Sequence, residues 1–596
     1  MNISNMSKRF SINIAVLALV VTGLVACTDG LNRVPSDTPS SENFFSSRDE
    51  LETALTGVYE GTLYWFENYP SQPGWMAPDD VTDLGFERST GEIQAVADGS
   101  ASASNGFFQS TWEHFYAAIG RANNLLTNMS RAEGNAPEEY MQRVEAEAKF
   151  LRAYSYSYLT ELYGDVPLLT TVPSLEEAEQ SRTPKSEVVD KIVEDLDFAA
   201  QVLPEEVGSS EQGRATSGAA LALKARVALY NERWQVAAQA ARQVMDSGVY
   251  TLHPDFREVF QLEGQRNSGV IFDVPYQRGV QTHGTPRRQQ SRNLSGWSQH
   301  VPSQAAVDMF QGSDGEPIDE SSVYDTANPF EDRDPRLDGT IVRPGSVLGG
   351  YVFETHPDST QTFRIVDGDS IRVDNEDVLN PFATFTGYLW RKYNDPDDIP
   401  QNVQSSEHNF ILIRYAEVLL TYAEAKIEMD DVDQSVIDAM NRVRARGYGV
   451  SPSNTNQYPA FTMTASRQEL RRQVRYERTV EFMNEGLRLF DIRRWGIAAD
   501  VMDGPLIGRP KGAYSTIPSP PEIDDATGHP DYSANRSLYR TVKPRSFNPD
   551  RDNLWAIPQS EIDANDEISQ NPGYWVPDSF SRLPRVCDVI EGTDTV

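Results

Sequence analysis

The chain has 596 residues, with 53 basic side chains against 88 acidic ones and a net charge of −35. A carboxylate excess this large argues against a nucleic-acid partner, because phosphate binding needs a basic surface. Two cysteines, Cys27 and Cys587, leave no expected intramolecular disulfide if the first is modified, so apolar packing must hold the fold; 39% hydrophobic and 10% aromatic residues supply the material.

The N-terminus carries Lys8 and Arg9, then an apolar run that ends at Leu24-Val25-Ala26-Cys27. The apolar core is too short for a membrane span and has the basic head and small residues of a cleavable secretory signal over 1–26. A cysteine directly after the cut offers its thiol for acylation, and the stretch resembles a bacterial lipobox. Cys27 is therefore the expected lipid-attachment residue. Acyl chains gain about 0.8 kcal/mol per buried methylene, enough for several chains to hold a soluble domain on a bilayer. The acidic surface disfavours direct contact with anionic lipid heads, which leaves membrane attachment to that anchor.

Helical periodicity dominates about 40–250 and 411–497. Phe150, Leu151, Tyr154, Tyr158 and Leu162 fall on one helical face, and Gly164 and Pro167 stop that helix. Thr183 and Pro184 read as a cap and first helical position, with Glu187 facing the dipole. A repeat is visible within these blocks. Residues 217–247 form two helices joined at Asn231-Glu232-Arg233, with Ala219, Ala222 and Ala225 on the first and Ala237, Ala238 and Ala241 on the second. Residues 415–446 repeat the design with Ala416, Ala423, Ala425 and Ala439. Small residues let helices approach closely, and a period near 34 residues is that of tetratricopeptide hairpins.

Between the blocks, about 251–410 is rich in Asp, Asn, Gly, Pro and Ser, with short strand-like runs such as Gly269–Tyr276. Residues 498–596 read as a loop-rich closing segment. The predicted fold is mainly α: a tetratricopeptide-like helical-hairpin scaffold displaying a large irregular subdomain with short strands. Loops of this length usually carry function.

Several stretches, in order, resemble the SusD/RagB family of surface lipoproteins: FFSSRDELETALTGVYEG near the N-terminus, FLRAYSYSYLTELYGDVPLL, RDPRL at 333–337, IRYAEVLLTYAEA at 413–425, VRYERTVEFMNEGLRLFDIRRWG at 474–496 and LWAIPQSEIDANDEISQNPGY at 554–574. The resemblance makes residues 27–596 one SusD-like domain on the outer face of the outer membrane. It implies a SusC-like TonB-dependent transporter as partner, for which the lipoprotein acts as a lid, and glycans, or in some branches peptides, as ligands. Gly269 stands where the family often has Glu, and residues 575–596 run past the family's usual end.

Catalytic signatures are missing. Histidines are scattered singly with no His-Glu-x-x-His, and there is no nucleophile elbow or phosphate loop. Glu477, Glu481 and Glu485 recur at helical spacing near Arg475, Arg478 and Arg488. They read as helix ion pairs and buried clamps rather than as a glycosidase acid/base pair. A surface glycoside hydrolase is thus the weaker reading. Trp234 and Trp495 read as core. Asp395-Pro-Asp-Asp398 and Asp367-Gly-Asp369 offer oxygen ligands for calcium but lack a calcium-loop spacing, so they read as solvated turns, and no cofactor is expected. Sugar binding needs flat apolar faces beside hydrogen-bonding groups. Trp75, flanked by Pro and Gly, and Trp297, in the irregular region, are the candidate platforms, with Asp79 and His300 as candidate hydroxyl partners.

Overall fold

The computed structural model describes residues 44–66, 69–174 and 179–574. The signal at 1–26, Cys27 and the tail at 575–596 lie outside the described residues. Ten principal helices follow in order: α1 (Arg48–Tyr59), α2 (Gly106–Asn128), α3 (Glu138–Tyr163), α4 (Lys185–Val202), α5 (Ser217–Tyr230), α6 (Trp234–Ser247), α7 (Tyr415–Glu428), α8 (Gln434–Gly447), α9 (Arg467–Phe482) and α10 (Arg488–Arg494). From α1 to α6 each helix packs on the next; α6 then packs on α7, and α7 on α8 and α9. The two helical blocks are therefore one continuous scaffold.

Local chemistry sets the ends. Ser47, Thr216 and Ser466 cap α1, α5 and α9 by accepting from the backbone N–H three residues on. Gly164 and Gly248, at φ +76° and +70°, close α3 and α6. The alanines of both repeats are all buried, so α5, α6, α7 and α8 approach closely, as the tetratricopeptide reading expects. One start differs from expectation. Pro184 occupies the cap position itself, and Asp165 takes over the capping by accepting from the Lys185 N–H at 2.8 Å. Thr183 is held instead by backbone bonds to Val166.

The strands are short and mostly paired in twos: β1 (Gly85–Glu87), β2 (Val270–Val274), β3 (His300–Pro302), β4 (Gln361–Val366), β5 (Asp369–Asp374) and β6 (Phe410–Arg414). β2 pairs with β6, Val274 facing Phe410 and Val270 facing Arg414. The irregular region thus leaves the scaffold and returns to it at one place. β1 pairs with β3 from far along the chain, Glu87 facing His300.

Two tryptophans read as core are only partly so. Trp234 is half-buried against the main core, and Trp495 is half-buried beside a cavity of about 140 Å³ that Arg475 and Tyr476 also line. The Trp495 indole N–H donates to Glu424 at 2.8 Å, which holds the ring at the edge of its cluster.

Candidate functional site

Trp75 is not a surface platform. It is 3% exposed, in a short turn at Gly74–Met76, and its ring meets Tyr64, Tyr154, Tyr158 and Phe410 at 5.2–6.4 Å. Gly486, at φ +78°, passes so near the Trp75 carbonyl that a Cβ there would sit 2.1 Å from the oxygen. The proline and glycine that mark a loop here shape a buried turn instead.

Asp79 and His300 are also buried, at 1% and 2% exposure, which removes both as hydroxyl partners. Asp79 accepts from the N–H groups of Gly486 and Arg488 at 3.0 and 3.2 Å, at the start of α10. Burial pushes its carboxyl up to about 7, against those two bonds. His300 pairs with Asp80, and Glu87 accepts from Gln299 and from the Ser89 N–H. This polar cluster fixes the β1–β3 pair from beneath.

That pair carries an exposed aromatic face. The Arg88 N–H donates to the Gln299 carbonyl at 3.0 Å, and its Nη2 donates to the Trp297 carbonyl at 2.9 Å. The Arg88 guanidinium lies 5.2 Å from the Phe382 ring centroid and 5.8 Å from that of Phe385. Trp297 is half-buried, with Arg287 4.5 Å over its ring. Phe382 is 56% exposed and Phe385 40%, the latter stacked on Phe86. Beside Phe385 opens a cleft of about 630 Å³ lined also by Asn380, Thr384, Lys511, Arg540 and Thr541. Flat rings beside amides, hydroxyls and guanidiniums can stack on sugar rings and bond their hydroxyls.

Of the four predicted ligand residues, the structure therefore brings only Trp297 to this face. Phe382 and Phe385 were missed, although Asn380–Gly387 carries the same signal of aromatics between Pro and Gly in the irregular region.

Glu477 and Glu481 on α9, and Glu485 just past its end, are clamped, as expected, but by basic residues from other elements. Glu477 bonds Arg336 and Arg444; Glu481 bonds Arg336, Arg414 and Arg446; Glu485 bonds Arg414 and Lys392. Among the expected partners, Arg478 turns to Asp491 and Arg488 to Asp83. No free acid pair is left there for bond cleavage.

Asp367 and Gly368 form the exposed turn between β4 and β5. Asp395 and Asp398 are buried, not solvated: Asp395 accepts from the Leu262 N–H at 2.6 Å, and Asp398 takes Arg278 at 2.7 Å. Among the described residues no group of three or more His, Cys, Asp or Glu is placed to hold a metal ion.

A scaffold of tetratricopeptide-like hairpins carrying a loop-rich aromatic face defines a class of binding protein. Residues 259–574 match the model of the SusD family, and residues 34–229 match one described as starch-binding associating with outer membrane. The chain belongs to the SusD family. SusD-like protein P2 of Formosa agariphila is 25% identical over 595 residues, covering 95% of this chain and 100% of that protein. The crystal structure of a SusD-like carbohydrate binding protein from Bacteroides fragilis is 30% identical, with a TM-score of 0.76 over 88% of this chain and 100% of that one. A further SusD-like protein from the same organism is 26% identical, with a TM-score of 0.72 over 91% of this chain and 100% of that one.

Proposed function

We propose that this chain is a non-enzymatic lipoprotein, tethered through Cys27 to the outer membrane and facing the cell exterior, that binds oligosaccharide and passes it to a SusC-like TonB-dependent transporter as its lid. Membership of the SusD family and likeness to a carbohydrate binding protein support the ligand class. The single observation that carries it is the pair of exposed rings, Phe382 and Phe385, beside an open cleft, with Arg88 running from them to the carbonyl of half-buried Trp297. Stacking needs rings free on one face, and such rings are otherwise costly to leave in water.

A calorimetric panel of glycans and peptides tests it. Glycan binding that weakens in Trp297→Ala and Phe382→Ala supports the reading; binding of peptides alone would overturn it. Co-purification of a large β-barrel in mild detergent tests the transporter partner, and isolation of a free lipoprotein counts against the lid.

A further inference from the structure

The aromatic face is also a cationic one. Arg88, Arg287 and Arg292 surround its rings, and Lys511 and Arg540 line the adjoining cleft. Elsewhere in this acidic chain buried arginines such as Arg226, Arg336 and Arg414 grip carboxylates, while Arg333 and Arg545 bond backbone carbonyls deep in the fold. Here the charges are spent on backbone carbonyls: Arg88 on Trp297, Arg292 on Phe382, Arg540 on Thr355 and Lys511 on Ser537. Arg287 stacks on Trp297, and its Nε is buried without a partner among the described residues. Asp377, in the cleft wall, is already occupied by Ser291, Asn293 and the Arg292 N–H.

Arg88 and Arg292 crowd the same ring, at 5.2 and 6.0 Å from the Phe382 centroid. Burial, and then the Arg88 charge, push the Arg292 guanidinium below its usual range. Like charges gathered at a half-dry aromatic surface repel one another, and an anion placed among them relieves that repulsion. A guanidinium fork matches sulfate and carboxylate oxygens alike.

We propose that this face takes an anionic polysaccharide, its sulfate or carboxylate groups held by Arg287, Arg292 and Arg540 while its rings rest on Trp297 and Phe382. The proposal rests on the glycan-binding reading and narrows it. The net charge of −35 repels polyanions in general, so binding of one would have to come from a local cationic patch.

The test uses the full chain and matched probes: dextran sulfate against dextran, and polygalacturonate against its methyl ester, by calorimetry at low and high salt. The charged member of at least one pair should bind and its neutral counterpart should not. The pair that responds tells sulfate from carboxylate. Arg287→Gln should lower affinity about tenfold or more, the scale of one hydrogen bond to a charged group. Because Arg287 gives no side-chain bond to the described residues, that variant should keep its melting temperature, and Arg287→Lys should retain more affinity than Arg287→Gln. Added salt should weaken the wild-type complex. Neutral glycans that bind through Phe382, with no effect of Arg287→Gln or Arg292→Gln, would overturn the anionic inference and leave glycan binding standing. Failure of every glycan, charged or neutral, would sink both.

Discussion

Arg226 on α5 and Glu417 on α7 meet across 191 residues of sequence in a two-pronged ion pair, Nε to Oε1 and Nη2 to Oε2, both at 2.6 Å. Arg226 Nη2 donates as well to the Leu412 carbonyl at 2.6 Å, so one side chain ties α5 to β6 and α7. Both partners are buried. Removing one strands a charge: Arg226→Met should cost about 3–5 kcal/mol in urea unfolding. The double variant Arg226→Met with Glu417→Met should recover most of that loss. A double variant as unstable as the single would show that the side-chain packing, not the stranded charge, is responsible.

Asp79 has the opposite electrostatics. Its folded-state value of about 7 lies above the ordinary aspartate 3.8, so the folded chain binds the proton more tightly. The contribution is full at pH below about 3.8 and is lost as pH rises to about 7. The stability gap between wild type and Asp79→Asn should therefore shift toward the variant on going from pH 5 to pH 8. Melting curves at both pH values would show it; a gap independent of pH would refute the shift.

For Glu481, burial acts to raise the carboxyl, but the guanidiniums of Arg446, Arg414 and Arg336 outweigh it and hold the group well below the usual range. Its stabilisation is present above the ordinary glutamate value of 4.5 and drains away as pH falls below it. Acid should therefore loosen the β6–α9 junction. Glu481→Gln should be less stable than wild type at pH 7, and its stability should fall less steeply between pH 4.5 and pH 2, as followed by tryptophan fluorescence.

Trp75 and Trp297 should separate cleanly on substitution. Trp75→Ala opens a cavity among core rings and should cost about 3–5 kcal/mol of stability. Trp297→Ala and Phe382→Ala should each weaken a glycan ligand by about 1 kcal/mol or more, measured by calorimetry, with the larger loss in binding rather than in folding.

Cys27→Ala should abolish labelling with radioactive palmitate and move the chain out of the membrane fraction, if the acyl chains at that cysteine are what hold it there. Retention of the unlabelled variant on membranes would mean that another contact holds it there.

The scaffold was legible because helix period and small residues act locally: Ala219 to Ala241 and Ala416 to Ala439 mark helices that must approach closely, and they do. The site was far less so. Proline and glycine around Trp75 signal a turn without saying on which side of the surface it lies, and burial by Gly486 comes from 411 residues away. Asp79 and His300 look like free polar groups until their distant partners, Arg488 and Asp80, are seen. Phe382 and Phe385 carried the right local signal, but only Arg88, nearly 300 residues earlier, joins them to Trp297. The clamp arginines of Glu481 likewise come from 336, 414 and 446, beyond the reach of helical spacing.

The pairing of Val274 with Phe410 means that the span between them begins and finishes on facing residues of one ladder. Doubling the length of a flexible loop adds only about 0.6 kcal/mol to the entropy of closing it. Arg336 and Lys392 lie within that span and clamp Glu477, Glu481 and Glu485, so only its outlying turns can change length without stranding a buried charge. The hairpin of β4 and β5, with its exposed turn at Asp367 and Gly368, is such a place, and the tightly clamped remainder is as much a part of the folded core as the helices are.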